Sequence, residues 1–124
     1  ITVMTSSTAQ GQILEGKTHM SISYEQAHKV MDLLEQHFMP IVETCLAVPA
    51  LIALNDPWNH DEVSYRYSDP TRKNHVPAFA IEFNRALYLH YQDGKEFPNE
   101  PMIKQLNQAF QQFVREVVTI FSDE

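Results

Sequence analysis

The chain has 124 residues, 44% hydrophobic and 20% charged, with 9 Lys and Arg against 16 Asp and Glu and a formal net charge of −7. This length and apolar content suit a single globular core that needs no disulfide or metal crosslink. The acidic balance disfavours nucleic acid and anionic membranes as partners, because both are bound by clustered Lys and Arg.

Neither membrane insertion nor secretion is indicated by the sequence. No apolar run approaches the ~20 residues that a membrane span needs, and the N-terminal residues lack the charged-then-apolar layout of a signal peptide. Cys45 is the only cysteine, which fits a reducing compartment. We therefore expect a cytoplasmic protein.

Residues 1–19 are rich in Thr, Ser and Gln and show neither a helical nor a sustained strand period. They are predicted to form a flexible N-terminal arm, followed by one globular domain over 20–124. If the arm is native, its segment GQILEG could add a short edge strand to this domain or to a partner.

The first helix is predicted to begin after Ser23, which can act as N-cap with Gln26 completing a capping box. Pro40 interrupts an apolar pattern that continues across it, which indicates a kink rather than an end. Pro49 can start a further helical turn. The apolar positions of the first helix lie three or four residues apart: Ala27, Met31, Leu34, Phe38, Ile41 and Cys45.

The last segment is predicted to be a long amphipathic helix that starts near Pro101. Its apolar positions again recur at steps of three and four: Ile103, Leu106, Phe110, Phe113, Val117 and Phe121.

The segment from Pro77 to Asp93 fits two structures. As a helix it starts with proline and ends at Gly94 as a left-handed cap; as a strand it alternates apolar and polar residues. Because an unbroken strand of that length exceeds the usual three to ten residues, we predict a helix.

The fold class is then mainly α, a bundle of three to five helices with the last packed along the kinked first. The alternative is an α+β domain with a short antiparallel sheet from 62–68 and 78–91.

The stretch between Asp56 and Pro77 concentrates aromatic rings, cations and histidines in a segment without helical period, and such long loops tend to be functional. This mixture suits a protein-binding patch or a pocket for a small ligand. His90, expected on the apolar face of the third helix, is a candidate acid or base. The predicted partner-binding or ligand-binding residues are Trp58, His60, Tyr65, Arg66, His75 and His90.

No catalytic set or cofactor motif is predicted, since glycines only at 11, 16 and 94 exclude a Gly-x-Ser-x-Gly motif and a glycine-rich phosphate loop. No metal site is predicted either, because the possible ligands His60, Asp61 and His75 have no spacing that identifies one. The leading hypothesis is that the chain is a non-enzymatic interaction protein that binds a protein partner, or a second copy of itself as a homodimer. The Met and Phe residues on the predicted helices favour this hypothesis, because these side chains suit contacts between helices. The alternative is a small-molecule or hydrolase-like pocket formed by loop 56–77 and His90.

Overall fold

The computed structural model describes residues 1–45 and 52–122. The helical turn predicted at Pro49 lies outside these residues. Within the described residues, three helices, five short strands and one 3₁₀ turn follow each other in the order β1 (Thr2–Met4), α1 (Tyr24–Cys45), β2 (Ala53–Leu54), α2 (Glu62–Tyr67), β3 (Ala80–Glu82), the 3₁₀ turn (Arg85–Leu87), β4 (Leu89–Gln92), β5 (Lys95–Pro98) and α3 (Glu100–Ser122).

The prediction of a mainly α bundle is wrong, and the fold is α+β. A three-stranded sheet has the order β2-β1-β3, with β1 parallel to β2 and antiparallel to β3, and β4 and β5 form a separate hairpin. The strands have two to four residues, too short for a period-two pattern to stand out in the sequence.

The helix predicted over Pro77–Asp93 is also wrong. This segment holds β3, the 3₁₀ turn and β4, and Asp93 and Gly94 turn the hairpin with φ of 53° and 76°. Both central residues of such a tight hairpin turn need positive φ, which Asp and Gly tolerate best. The alternative sheet is not formed either, because 62–67 is helix α2 and β3 pairs with β1.

The two long helices are confirmed, together with their packing. The Ser23 hydroxyl accepts from the Gln26 N–H at 3.0 Å and the Gln26 side chain accepts from the Ser23 N–H at 2.9 Å, which is the predicted capping box. Pro40 lies inside α1. His37 on α1 bonds Glu116 on α3 at 2.8 Å.

Residues 1–19 do not stand apart from the rest of the fold. Their strand β1 is the middle strand of the sheet, and Val3 is 0% exposed. The sheet residues Val3, Leu54 and Ile81 pack in one hydrophobic cluster with α1 and α3. The core therefore lies between the sheet and the two long helices, with Phe38 of α1 at its centre, 5.5 Å from the Phe83 ring and 6.3 Å from the Phe113 ring.

Candidate functional site

The carboxyl ends of β1 and β2 meet, because the two strands are parallel neighbours. Residues 5–8 leave β1 and residues 55–60 leave β2 at this edge. In open α/β sheets, ligands bind at the carboxyl ends of parallel strands, where loops carry polar groups together. The residues gathered here are therefore the first candidates for a functional site.

A chain of three hydrogen-bonded side chains crosses this edge. The Ser6 hydroxyl lies 2.9 Å from His60 Nδ1, and His60 Nε2 lies 3.0 Å from a Glu62 carboxylate oxygen. Ser6 is 1% exposed, whereas the side chains of His60 and Glu62 are 24% and 61% exposed. These three hydrogen-bonded side chains thus lead from the interior to the surface.

A second histidine lies on the other side of Tyr65. The His19 ring stacks on the Tyr65 ring with centroids 4.2 Å apart, and His60 meets the same ring edge-on at 5.2 Å. The Tyr65 hydroxyl accepts from the Thr18 N–H at 3.0 Å, and the Lys17 ammonium lies 5.2 Å from the ring centroid. Tyr65 therefore connects residues 17–19 to the loop that carries His60.

The short helix α2 positions Glu62 and Tyr65. Asp61 is its N-cap and accepts from the Ser64 hydroxyl at 2.6 Å and the Ser64 N–H at 2.8 Å. These two hydrogen bonds lower the pKa of the Asp61 carboxyl, the hydroxyl having the larger effect. For the exposed Glu62, the hydrogen bond from His60 is the main cause of a lowered pKa, with smaller effects from the charges of His60, Lys17 and Arg66. Glu62 is therefore a carboxylate at neutral pH.

The structure brings together two of the six predicted residues, His60 and Tyr65. Trp58 is 60% exposed and borders a separate cleft of about 380 Å³ that Arg85 also lines. Arg66 is exposed on α2, where its carbonyl oxygen accepts from the Arg72 guanidinium at 3.3 Å. His75 is also exposed, with Nδ1 3.0 Å from the Arg72 carbonyl oxygen.

The prediction that His90 lies on the apolar face of a helix is wrong. It is exposed on strand β4 and stacks on Phe97 of the same hairpin, with centroids 6.0 Å apart. The sequence also gave no indication of Ser6 or His19, which lie more than 40 residues before their partners His60 and Tyr65. Only the composition of the loop pointed to this edge.

A second feature is an apolar surface on α3. Phe110, Val114 and Val118, called here the outer strip, are 42%, 44% and 56% exposed, and their spacing of four places them on one side of the helix. Two apolar grooves flank the strip. One, of about 340 Å³, includes Phe83 and Phe110, and the other, of about 460 Å³, includes Phe79 and Val118.

Comparisons with protein-family models, curated proteins and solved structures found no match to the chain. Within residues 1–45 and 52–122, no helix is long and apolar enough to cross a membrane. Among the same residues, no group of three or more His, Cys, Asp or Glu side chains is arranged to hold a metal ion.

Proposed function

We propose that the chain is an interaction protein that pairs with a second copy of itself through the outer edge of β3 and the outer strip. The observation that carries this proposal is the position of an unpaired strand edge beside an exposed apolar helix face. A strand edge offers backbone hydrogen bonds to another strand, and a neighbouring apolar surface supplies the hydrophobic contact.

The direction of the free backbone groups follows from the sheet register. The carbonyls of Ile1 and Val3 accept from the N–H groups of β2, so these two residues point their backbone groups toward β2. Successive residues of a strand point to opposite sides. Thr2 and Met4 therefore face β3, where their partners are Glu82 and Ala80.

Ile81, between these two partners, consequently directs its N–H and C=O away from β1. Its own register partner is Val3, whose backbone groups face β2. In the part of the chain that the structure describes, no strand lies beyond β3. One donor and one acceptor at this edge are thus available to another strand.

Helix α3 runs alongside this edge. The Phe110 ring lies 6.5 Å from Phe83 at one end of β3, and the Phe121 ring lies 6.2 Å from Phe79 at the other. Ile81 lies midway between Phe79 and Phe83, and Val114 lies between Phe110 and Phe121. The middle of β3 therefore lies between two ring contacts with α3, and Val114 lies on the stretch of α3 that these contacts bracket.

This arrangement favours a second copy over an unrelated strand. Two copies of β3 can pair antiparallel about a two-fold axis at Ile81, where the two isoleucines exchange both backbone hydrogen bonds. The same axis passes beside Val114, so Phe110 of each copy lies opposite Val118 of the other. One axis thus pairs the strands and packs the helices, giving a continuous six-stranded sheet.

The charges at this surface permit the pairing. A net charge of −7 makes two copies repel each other. However, the outer strip and the exposed Asn107 and Gln111 beside it carry no charge, and the next exposed residue on that side, Arg115, is a cation that offsets part of the negative charge of a second copy. The proposed register also places Glu82 opposite Ala80 rather than another Glu82.

The first test is the mass in solution by size-exclusion chromatography with light scattering. We expect a dimer at tens of micromolar and a monomer for Val114→Glu, which places two carboxylates near the axis. Val63→Glu is the matched control, because Val63 is also apolar and 64% exposed but lies on α2. A monomeric wild-type protein would overturn the proposal.

The second test locates the axis. In a Cys45→Ser background, Val114→Cys carries the only cysteine, and oxidation should crosslink it to the same residue of a second copy. Val63→Cys in that background should not crosslink at the same protein concentration. A dimer in which position 63 crosslinks and position 114 does not would refute this surface while leaving self-association intact.

A further inference from the structure

The orientation of the Ser6 hydroxyl is determined by Glu62 at the other end of the hydrogen-bonded chain. A carboxylate can only accept hydrogen bonds, so His60 must carry its proton on Nε2, which faces Glu62. In the neutral ring Nδ1 is then an acceptor. The Ser6 hydroxyl, 2.9 Å away, therefore donates its proton to Nδ1.

This arrangement has the chemical logic of an activated serine. A hydroxyl that donates to an imidazole, which in turn donates to a carboxylate, can lose its proton to the imidazole as it attacks an electrophile. The carboxylate fixes the tautomer and stabilises the imidazolium that forms. Here the ring uses Nδ1 as the base and Nε2 toward the carboxylate.

The backbone at Ser6 supplies an independent observation. Ser6 has φ of 54°, in the left-handed region that residues other than glycine rarely adopt because it is strained. It follows the end of β1 closely, at the carboxyl edge of the parallel strand pair. Backbone strain of this kind occurs at active sites, where a sharp turn after a strand presents a nucleophilic serine.

We propose that Ser6, His60 and Glu62 form an acyl-transfer site that hydrolyses small, unhindered esters. Ser6 is the nucleophile, His60 is the general base and acid, and Glu62 is a positioning residue. Because Ser6 is 1% exposed while His60 and Glu62 reach the surface, a substrate must approach past the imidazole. This restricts the acyl group to a small one such as acetyl.

The proposed reaction has two balanced steps. The Ser6 oxygen forms a bond to the ester carbonyl carbon as its proton moves to His60 Nδ1, and the alkoxide then leaves with that proton as an alcohol. Water next attacks the acyl-serine, giving its proton to Nδ1. When the acyl bond breaks, the proton returns to the Ser6 oxygen and a carboxylic acid is released.

The test is covalent labelling by a small fluorophosphonate, followed by intact mass measurement and peptide mapping. We expect one adduct per chain, located on Ser6. Ser6→Gly should abolish it, and this variant keeps the left-handed backbone conformation that glycine adopts without strain. Ser7→Ala should label like wild type, because Ser7 is equally buried but donates to the carbonyls of Thr8 and Gln12 instead of to a histidine.

The roles of the other two residues are separated by rates and by NMR. His60→Ala should slow labelling at least about 100-fold, the usual contribution of a general base, and Glu62→Gln at least about tenfold, because the amide no longer fixes the tautomer of His60. The ¹⁵N shifts of the His60 ring should show the Nε2–H tautomer in the wild type and a mixture in Glu62→Gln. This readout would not move if Glu62 only stabilised α2.

Hydrolysis of 4-nitrophenyl acetate gives the matching functional measurement. An initial burst of nitrophenol, absent in Ser6→Gly and retained in Ser7→Ala, is expected of an acyl-serine. Failure of the folded wild-type protein to label at Ser6, or labelling that persists unchanged in His60→Ala, would overturn the proposal. Neither outcome depends on whether the protein is a dimer.

Discussion

Thr5 and Asn55, fifty residues apart in the chain, hydrogen-bond to each other twice. The Thr5 N–H donates to Asn55 Oδ1 at 2.8 Å, and Asn55 Nδ2 donates to the Thr5 hydroxyl at 2.9 Å. Both residues are buried, 2% and 6% exposed. This reciprocal pair joins the ends of β1 and β2, directly beside Ser6, and so holds the candidate site together.

Replacing Asn55 should therefore lower the free energy of unfolding. Two variants separate the effect of its hydrogen bonds from the effect of its backbone conformation. Asn55→Gly removes both hydrogen bonds to Thr5 and a third, from Asn55 Nδ2 to the Thr8 carbonyl at 3.3 Å. It leaves the buried Thr5 N–H without a partner, which should lower the free energy of unfolding by about 2 kcal/mol. Asn55→Ala should cost about 1 kcal/mol more, since Asn55 has φ of 54° and alanine is strained there. Urea unfolding measures both, with the exposed Asn74→Ala as control, expected within ~0.5 kcal/mol of wild type. If Asn55→Gly and Asn55→Ala lowered the free energy of unfolding equally, backbone strain at position 55 would not contribute.

A chain that begins at Met20 should fail to fold. It lacks β1, so β2 and β3 lose the strand that connects them, and the fully buried Val3 is removed from the core. Net stabilities of about 5–15 kcal/mol do not tolerate the loss of a central strand. In circular dichroism, residues 20–124 should show no cooperative denaturant transition. Val3→Thr in the full chain, which keeps the strand but buries a hydroxyl, should unfold cooperatively at lower denaturant.

The sequence predicted α1 and α3 because each has a long apolar face, and for α1 the capping residues Ser23 and Gln26 add a local signal. Strand β1 could not be found in the same way. Val3 is its only fully buried apolar residue, and the next residues, Thr5 and Ser6, are polar but buried because distant residues satisfy their hydrogen bonds. Such burial depends on tertiary contacts, which a local pattern does not contain.

For a related reason, the sequence indicated only part of the candidate site. His60 and Tyr65 belong to a loop whose unusual composition pointed to function, whereas Ser6 has no motif around it and acquires a role only through contact with His60. Phe79, Ile81 and Phe83 alternate with other residues as in a strand, but the segment from Pro77 to Asp93 is too long for one strand, which favours a helix in the sequence. The 3₁₀ turn after β3 ends that alternation and allows the hairpin.

The cap of α2 should make stability depend on pH in the acid range. The pKa of Asp61 is lowered in the folded protein by the Ser64 hydroxyl and N–H, so its stabilising effect is complete above the unfolded pKa of about 3.9 and is lost as pH falls through the lower folded pKa. Asp61→Ala should lower the free energy of unfolding by about 1 kcal/mol at pH 7. Urea titrations should show this difference shrinking below about pH 3.9.

The control for this prediction is Asp32→Ala, since Asp32 is exposed in the middle of α1 and caps no helix. Asp32→Ala should change the free energy of unfolding by no more than ~0.5 kcal/mol at pH 7 and at pH 2. An Asp61→Ala difference that is as large at pH 2 as at pH 7 would show that the ionised carboxylate is not what stabilises α2.

Two glycines near the N-terminus provide a matched pair for testing how residues 1–19 pack on α1. Gly11 and Gly16 have nearly equal positive φ, 82° and 78°, so alanine is similarly strained at both. A Cβ at Gly11 would lie 2.6 Å from Cγ and Cδ2 of Tyr24, the first residue of α1, and 3.0 Å from its Cβ, whereas a Cβ at Gly16 would meet nothing within 4 Å. The two sites therefore differ in the contact with Tyr24 and not in backbone conformation.

We expect Gly16→Ala to lower the free energy of unfolding by about 1 kcal/mol, from the backbone alone, and Gly11→Ala by at least 1 kcal/mol more, because the added methyl group must displace the Tyr24 side chain near its base. Urea unfolding of the two single variants gives the difference directly. A double-mutant cycle with Tyr24→Ala then identifies its source: the additional cost at Gly11 should disappear once the ring is gone, while the cost at Gly16 should stay the same. If Gly11→Ala and Gly16→Ala were equally destabilising with Tyr24 present, the turn at Gly11 would not be packed against the start of α1 in solution.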